Sequence, residues 1–232
     1  MPTARGRAQK PPVSGSPAEQ AAAAKEIVRR FHELYFAEYS RTVADTFWLG
    51  LQTQKCPLDL WIYQEILSER RPGLIVETGT FFGGSAYFLA CICDLLDNGR
   101  VITIDVREFP HGRPEHSRLE YRTGSSVAPE VVAGVRESIE AGERVMVILD
   151  SDHRKDHVLA ELHAYAPMVT PGDYLIVEDT NVNGNPVLPD FGPGPMEAVD
   201  EFLAGDDTFA VDESREKFFL SFNPRGYLRR KR

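Results

Sequence analysis

Two acidic clusters, Asp150-Ser-Asp-His153 and Glu178-Asp179, hold the most reactive set of side chains in this sequence. Each follows directly on an apolar run, Val145-Met-Val-Ile-Leu149 and Tyr174-Leu-Ile-Val177. Both runs are aliphatic without alternation, the pattern of strands covered on both faces by helices. Three or four carboxylates are therefore expected at the ends of two buried strands. Crowded there, they repel and raise one another's pKa unless a divalent ion or a basic group neutralises them. Oxygen ligands suit Mg²⁺, and no His-rich cluster favours zinc.

A second constellation is the turn Glu77-Thr-Gly-Thr-Phe-Phe-Gly-Gly-Ser85. Its glycines allow a tight turn and a close approach to a ligand, and the helix that follows offers unpaired amide donors. Asp105 closes the next apolar run and is placed to accept hydrogen bonds from ribose hydroxyls. The spacing Gly79-x-x-x-Gly83-Gly84 departs from the dinucleotide fingerprint, and Glu77 would repel a pyrophosphate. S-adenosylmethionine has no phosphate, and a carboxylate such as Glu77 can hold its ammonium. Glu77, Thr78, Gly79, Thr80, Gly83, Ser85, Asp105 and Asp150 are the candidate contacts, with Ser125 and Ser126 of Thr123-Gly-Ser-Ser126 at the adenine.

Elements that place these residues can be read from the same texture. A leader over 1–17 is small, polar and proline-rich and is expected to be disordered. Residues 18–70 form an N-terminal helical extension. One helix starts at Ala18 with Ile27, Phe31, Leu34 and Tyr35 on its packing face; another starts at Pro57 with Leu58, Trp61, Ile62 and Ile66 inward. From 71 to 228 strands alternate with helices: strands over 73–77, 101–105, 119–123, 145–149 and 174–178, helices over 83–96, 128–139 and 154–166. The fold class is α/β, a Rossmann-like doubly wound sheet, mostly parallel. Strands near 209–211 and 217–222, parted only by a charged turn, predict an antiparallel C-terminal hairpin. Residues 229–232 read as a basic tail. The Gly- and Pro-rich stretch 180–195 is long for a plain connection, which suggests a lid or binding loop.

The chain has 232 residues, 42% of them apolar, and a net charge of -9. Its eight basic end residues, Arg5, Arg7 and Lys10 with Arg225, Arg229, Arg230, Lys231 and Arg232, leave -17 on 18–224. So acidic a body argues against a broad nucleic-acid surface. No apolar stretch approaches a membrane span. The three cysteines, Cys56, Cys91 and Cys93, have neither metal-ligand nor redox spacing and read as core thiols in a reducing cytoplasm.

Several stretches together resemble the cephalosporin hydroxylase family, which includes rhamnosyl O-methyltransferases and is related to macrolide sugar O-methyltransferases. They are Lys55-Cys-Pro-Leu-Asp-Leu60, Glu77-Thr-Gly-Thr80 with Gly83-Gly-Ser85, Leu149-Asp-Ser-Asp-His153, Tyr174-Leu-Ile-Val-Glu-Asp-Thr180, Pro189-Asp-Phe-Gly-Pro-Gly-Pro195, and Phe222-Asn-Pro with Gly226-Tyr-Leu-Arg229. The resemblance implies a class I methyltransferase domain over 71–228 that uses S-adenosylmethionine and Mg²⁺ to methylate a hydroxyl of a sugar or natural product. It implies Asp150, Glu178 and Asp179 as metal ligands, His153 as the base near the substrate hydroxyl, and a homo-oligomer with contacts at the N-terminal helix. Asp152 competes with Asp150 for the first ligand position; strand-end placement favours Asp150, and a helix cap before Arg154 is the other role open to Asp152. Lys155, His157 and His163 read as helix-surface residues.

Two other functions fit the same residues. A non-haem iron oxygenase needs two histidines and a carboxylate at one point, which His153, His157 and Asp150 would supply. A catalytically silent scaffold would keep the fold alone, at the cost of burying carboxylates without a cation.

Overall fold

The computed structural model describes residues 16–108 and 112–231, so most of the predicted leader lies outside it. Ser16 and Pro17 already belong to the start of α1 (Pro17–Ala37). The Ser16 hydroxyl accepts from the Glu19 amide at 3.3 Å while the Glu19 carboxylate accepts from the Ser16 amide at 2.7 Å, a reciprocal cap.

The packing face of α1 is turned from the predicted one and keeps only Tyr35 of it. Ile27, Phe31 and Leu34 are 68%, 50% and 59% exposed. His32 is buried instead, stacked on Phe222 with ring centroids 5.5 Å apart, and Tyr35 meets the edge of the same ring. The segment after α1 forms a short helix α2 (Tyr39–Thr42) and a two-stranded hairpin, β1 (Phe47–Trp48) with β2 (Leu51–Gln52). Next, α3 (Pro57–Arg70) starts at the predicted proline but turns Trp61 outward, burying Leu60, Ile62, Tyr63, Ile66 and Leu67.

The α/β body then follows: β3 (Leu74–Thr78), α4 (Gly84–Leu96), β4 (Arg100–Asp105), β5 (Leu119–Thr123), α5 (Pro129–Glu137), β6 (Val145–Leu149), α6 (Lys155–Tyr165), β7 (Tyr174–Val177), α7 (Pro195–Gly205), β8 (Phe209–Val211) and β9 (Tyr227–Arg230). Seven strands form one sheet in the order β5-β4-β3-β6-β7-β9-β8. The first five are parallel, and β9 runs antiparallel to both β7 and β8. Every residue of β3, β6 and β7 is buried, because helices cover both faces of the sheet. One apolar layer joins α6 and α7 to Leu74, Val147 and Leu175; the other joins α3 and α4 to Ile75, Met146 and Ile176.

The C-terminal pairing corrects the expected hairpin. The partner of β8 is β9, in the register Phe209↔Arg230, and 217–222 is not a strand. Asp59 on α3 explains why: its carboxylate accepts from the Ser221 hydroxyl at 2.7 Å, the Phe222 amide at 2.8 Å and the Tyr227 hydroxyl at 2.7 Å. That three-way anchor holds the segment against α3 instead of a strand. Arg229 and Arg230 thereby complete a sheet position rather than a solvated tail. Strand order reverses at β3, whose neighbours β4 and β6 lead to opposite ends of the sheet. The crevice beyond the carboxyl ends of β3, β4 and β6 is where such sheets bind ligands.

Candidate functional site

A cavity of about 660 Å³ opens at that crevice, within the range of small-molecule sites. Its wall takes Gly79, Thr80 and Ser85 from the turn after β3 and the start of α4, and Asp105 from the end of β4. Ser125 and Ser126 follow β5, Asp150 to Arg154 follow β6, and Asp179 follows β7. Tyr39 and the run Gln52 to Lys55 close it from the N-terminal side.

Close packing shapes the turn. Gly79 has φ +87°, and a Cβ there would lie 1.8 Å from the Asp150 carbonyl oxygen, so only glycine lets the two loops touch. A Cβ on Gly84 would lie 2.1 Å from the Gln52 carbonyl oxygen, which shows how tightly the segment carrying Lys55 is pressed on the start of α4. Asp105 accepts from the Phe81 amide at 2.8 Å and the Arg107 amide at 2.9 Å, so it braces this turn as well as facing the cavity.

Three of the predicted contacts do not line the cavity: Glu77, Thr78 and Gly83. Glu77 is wholly buried beneath it, one oxygen accepting from the Thr103 hydroxyl at 2.6 Å and the other without a protein partner. Thr103 in turn meets the Thr80 hydroxyl at 2.7 Å, so the buried acid fixes the turn from below. Burial pushes its carboxyl above the usual range.

At the acidic end, Asp150, His153 and Asp179 each offer a ligand atom, all within 4.8 Å of one another. His153 Nε2 lies 3.2 Å from Asp150 Oδ1, and Nδ1 lies 3.5 Å from Asp179 Oδ2. Burial pushes the imidazole down, but the Asp179 charge and the hydrogen bond to Asp150 outweigh it and hold His153 up at about 9. Two carboxylates and an imidazole converging on one point suit a divalent cation.

The other acidic residues are committed elsewhere. Glu178 is buried, with Oε1 accepting from the Tyr63 hydroxyl at 2.8 Å and Oε2 ion-paired to Lys55 Nζ at 2.6 Å. Lys55 also donates to Asp150 Oδ2. Asp152 turns out to Arg154, whose guanidinium holds its carboxyl down at about 2, and its Oδ1 caps the Arg154 amide at 3.0 Å. Of the two rivals, Asp150 is the one beside His153 and Asp179.

Sequence reasoning missed Lys55 and Tyr63 as parts of the site. Lys55 stands in a stretch quoted for the family resemblance, but periodicity gives no hint that a residue just before α3 reaches the end of β6. His157 was read as a surface residue and instead lines the cavity, with Nε2 3.1 Å from both the Ser126 and Ser151 hydroxyls. The Ser151 hydroxyl donates to the buried Glu161 at 2.7 Å. Lys155 pairs with Glu201 at 2.6 Å, and His163 meets the edge of Phe202. Since His157 faces these hydroxyls and not Asp150, the two-histidine centre of an iron oxygenase is not assembled among the described residues. Residues 180–195 contribute nothing to the cavity wall; Thr180, Asn181 and Val187 are buried and Leu188 and Phe191 are exposed at the tip.

Comparison with known proteins gives the same picture at the level of family and fold. Residues 40–231 match the family described as Rhamnosyl O-methyltransferase/CmcI. Rhamnosyl O-methyltransferase of Mycobacterium tuberculosis is 38% identical over 212 residues, 87% of this chain and 84% of the relative. Its counterpart from Mycobacterium leprae is 38% identical over 215 residues, covering 88% and 91%. An apo structure of CmcI shares the fold with a TM-score of 0.64 at 24% identity over 82% of this chain and 77% of that one. CmcI with Mg and SAM gives 0.61 at 23% identity over 82% and 78%. The chain belongs to the rhamnosyl O-methyltransferase/CmcI family.

Proposed function

We propose that this protein is an S-adenosylmethionine- and Mg²⁺-dependent O-methyltransferase whose acceptor is a hydroxyl of a sugar or sugar-bearing natural product. The observation that carries the reading is the grouping of Asp150, His153 and Asp179 at one end of a cavity whose wall continues to Asp105 and Ser126. The sugar acceptor is suggested by relatives 38% identical that are named for rhamnosyl O-methylation. The cofactors are suggested by CmcI, which has this fold and is known with Mg and SAM.

Gly79, Thr80 and Ser85 would hold the methionine part of the donor, Asp105 its ribose, and Ser125 and Ser126 its adenine. The lack of a pyrophosphate site at the glycine turn fits a nucleoside without phosphates. Asp150 and Asp179 would hold the ion, with Glu178 behind them. When bound, Mg²⁺ supplies positive charge that acidifies and orients an adjacent hydroxyl. The acceptor oxygen forms a bond to the methyl carbon as the carbon–sulfur bond breaks, the electron pair going to sulfur. His153, held in place by Asp150 and Asp179, takes the proton when its imidazole is neutral, a form that becomes populated as pH rises towards about 9. Tyr39 and Gln52 to Gln54 close the cavity and keep water from the reacting atoms.

The test is methyl transfer from labelled S-adenosylmethionine to a panel of rhamnosides and related glycosides, with and without EDTA, alongside calorimetry with S-adenosylmethionine and 2-oxoglutarate. Expected are donor-binding heat, none with 2-oxoglutarate, and transfer to at least one glycoside that EDTA abolishes. Turnover unaffected by EDTA, or no donor binding, would overturn the proposal.

A further inference from the structure

We propose that Lys55 offsets part of the negative charge of the acidic centre, so that a divalent ion is held there exchangeably. This rests on reading the centre as a metal site.

Lys55 is 5% exposed, yet it meets two carboxylates from different strand ends, Asp150 and Glu178. Burial pushes its ammonium down, but the charges of Asp150, Glu178 and Glu77 outweigh that and keep it protonated. The segment that carries it is closely packed. Cys56 next to it is buried, Gln52 is tied to the Ala44 carbonyl oxygen, and the Gln52 backbone presses on Gly84 where no side chain fits. Such placement costs rotamer freedom and desolvates a cation, so it persists because the acids require it.

The contacts give the placement a purpose, since the ammonium lies between acids from two strand ends and offsets part of the negative charge they present to an ion. Lys55 also engages one oxygen of Asp150 and one of Glu178, weakening the pull of both on any ion beside them. Without that ammonium the centre would carry one more negative charge, bind a divalent ion more tightly and favour a trivalent one.

The experiment titrates the full chain with Mn²⁺, read by the paramagnetic signal of the free ion, and with Tb³⁺, read by luminescence, in mildly alkaline buffer. Wild type, Lys55→Met, Lys55→Gln and Lys55→Arg are compared. Expected is Mn²⁺ binding about tenfold tighter in the two neutral variants, as removal of a contacting unit charge implies, a larger gain for Tb³⁺, and wild-type behaviour in Lys55→Arg. Neutral variants that fold only when the ion is present would also support the assignment. Equal or weaker Mn²⁺ affinity in folded neutral variants would overturn it, as would neutral variants unfolded with or without the ion, since Lys55 would then be a structural prop. Absence of Mn²⁺ binding by wild type and variants alike would overturn the metal reading beneath it.

Discussion

His153 Nε2 lies 3.2 Å from Asp150 Oδ1, so the imidazole and the carboxylate at the end of β6 face each other across one turn of chain. If this imidazole takes the acceptor proton, His153→Gln keeps a polar group of similar size but cannot do so. We expect kcat to fall about 10²- to 10⁴-fold, the usual worth of general base catalysis. The circular dichroism spectrum and donor affinity should stay close to wild type. A variant with wild-type kcat would remove His153 from the chemistry.

Asp150→Asn and Asp179→Asn should each raise the Mg²⁺ concentration needed for half-maximal rate by about tenfold or more, because each removes a charged ligand. Asp152→Asn is the informative control. Its carboxylate is spent on Arg154, so the Mg²⁺ dependence should shift by less than about twofold. Asp152→Asn behaving like Asp150→Asn would reverse the choice of ligand.

Gly79→Ala tests the contact between the two loops. A methyl group 1.8 Å from the Asp150 carbonyl oxygen forces one loop away, and the left-handed backbone adds about 1 to 2 kcal/mol of strain. Both the melting temperature and donor affinity measured by calorimetry should drop. Affinity retained at the wild-type level would mean that the turn does not cradle the donor.

His32 predicts an acid-sensitive docking of α1. Burial pushes its imidazole from 6.5 down to about 4, and Asn181 and the Phe222 ring pack on it. Between those two values the unfolded chain binds a proton that the folded chain refuses. Stability from this group is therefore complete above pH 6.5 and is lost as pH falls towards 4, by roughly 2 to 3 kcal/mol. Lys25, Arg29 and Glu216 line the adjoining cavity and add a smaller, screened contribution. In denaturant melts from neutral to acid pH, His32→Phe should flatten this loss; an unchanged slope would assign it to the carboxylates.

How much of this was readable beforehand depended on whether the signal was local. The strands 119–123 and 145–149 appear with the predicted bounds, the first marked by the alternation of Leu119, Glu120, Tyr121 and Arg122 and the second by an apolar run between polar flanks. Segment 217–222 is apolar enough to suggest a strand, but the distant carboxylate of Asp59 claims its donors. The site divides in the same way. Asp150 and Asp179 stand at strand ends that the sequence marks, and the structure brings their oxygens together with His153. The neutralising basic group, one of two remedies for crowded acids, is Lys55, 95 positions from Asp150. Asp152 and Glu178 have the right residue type, but local pairing with Arg154 and tertiary pairing with Lys55 and Tyr63 direct their oxygens elsewhere.

The insertion of β9 between β7 and β8 makes the sheet's far side interdependent. Among the described residues β8 pairs with no other strand. A chain severed at Gly226 would thus forfeit two rungs rather than one, and the bare flank of β7 would be open to any extended peptide able to fill it.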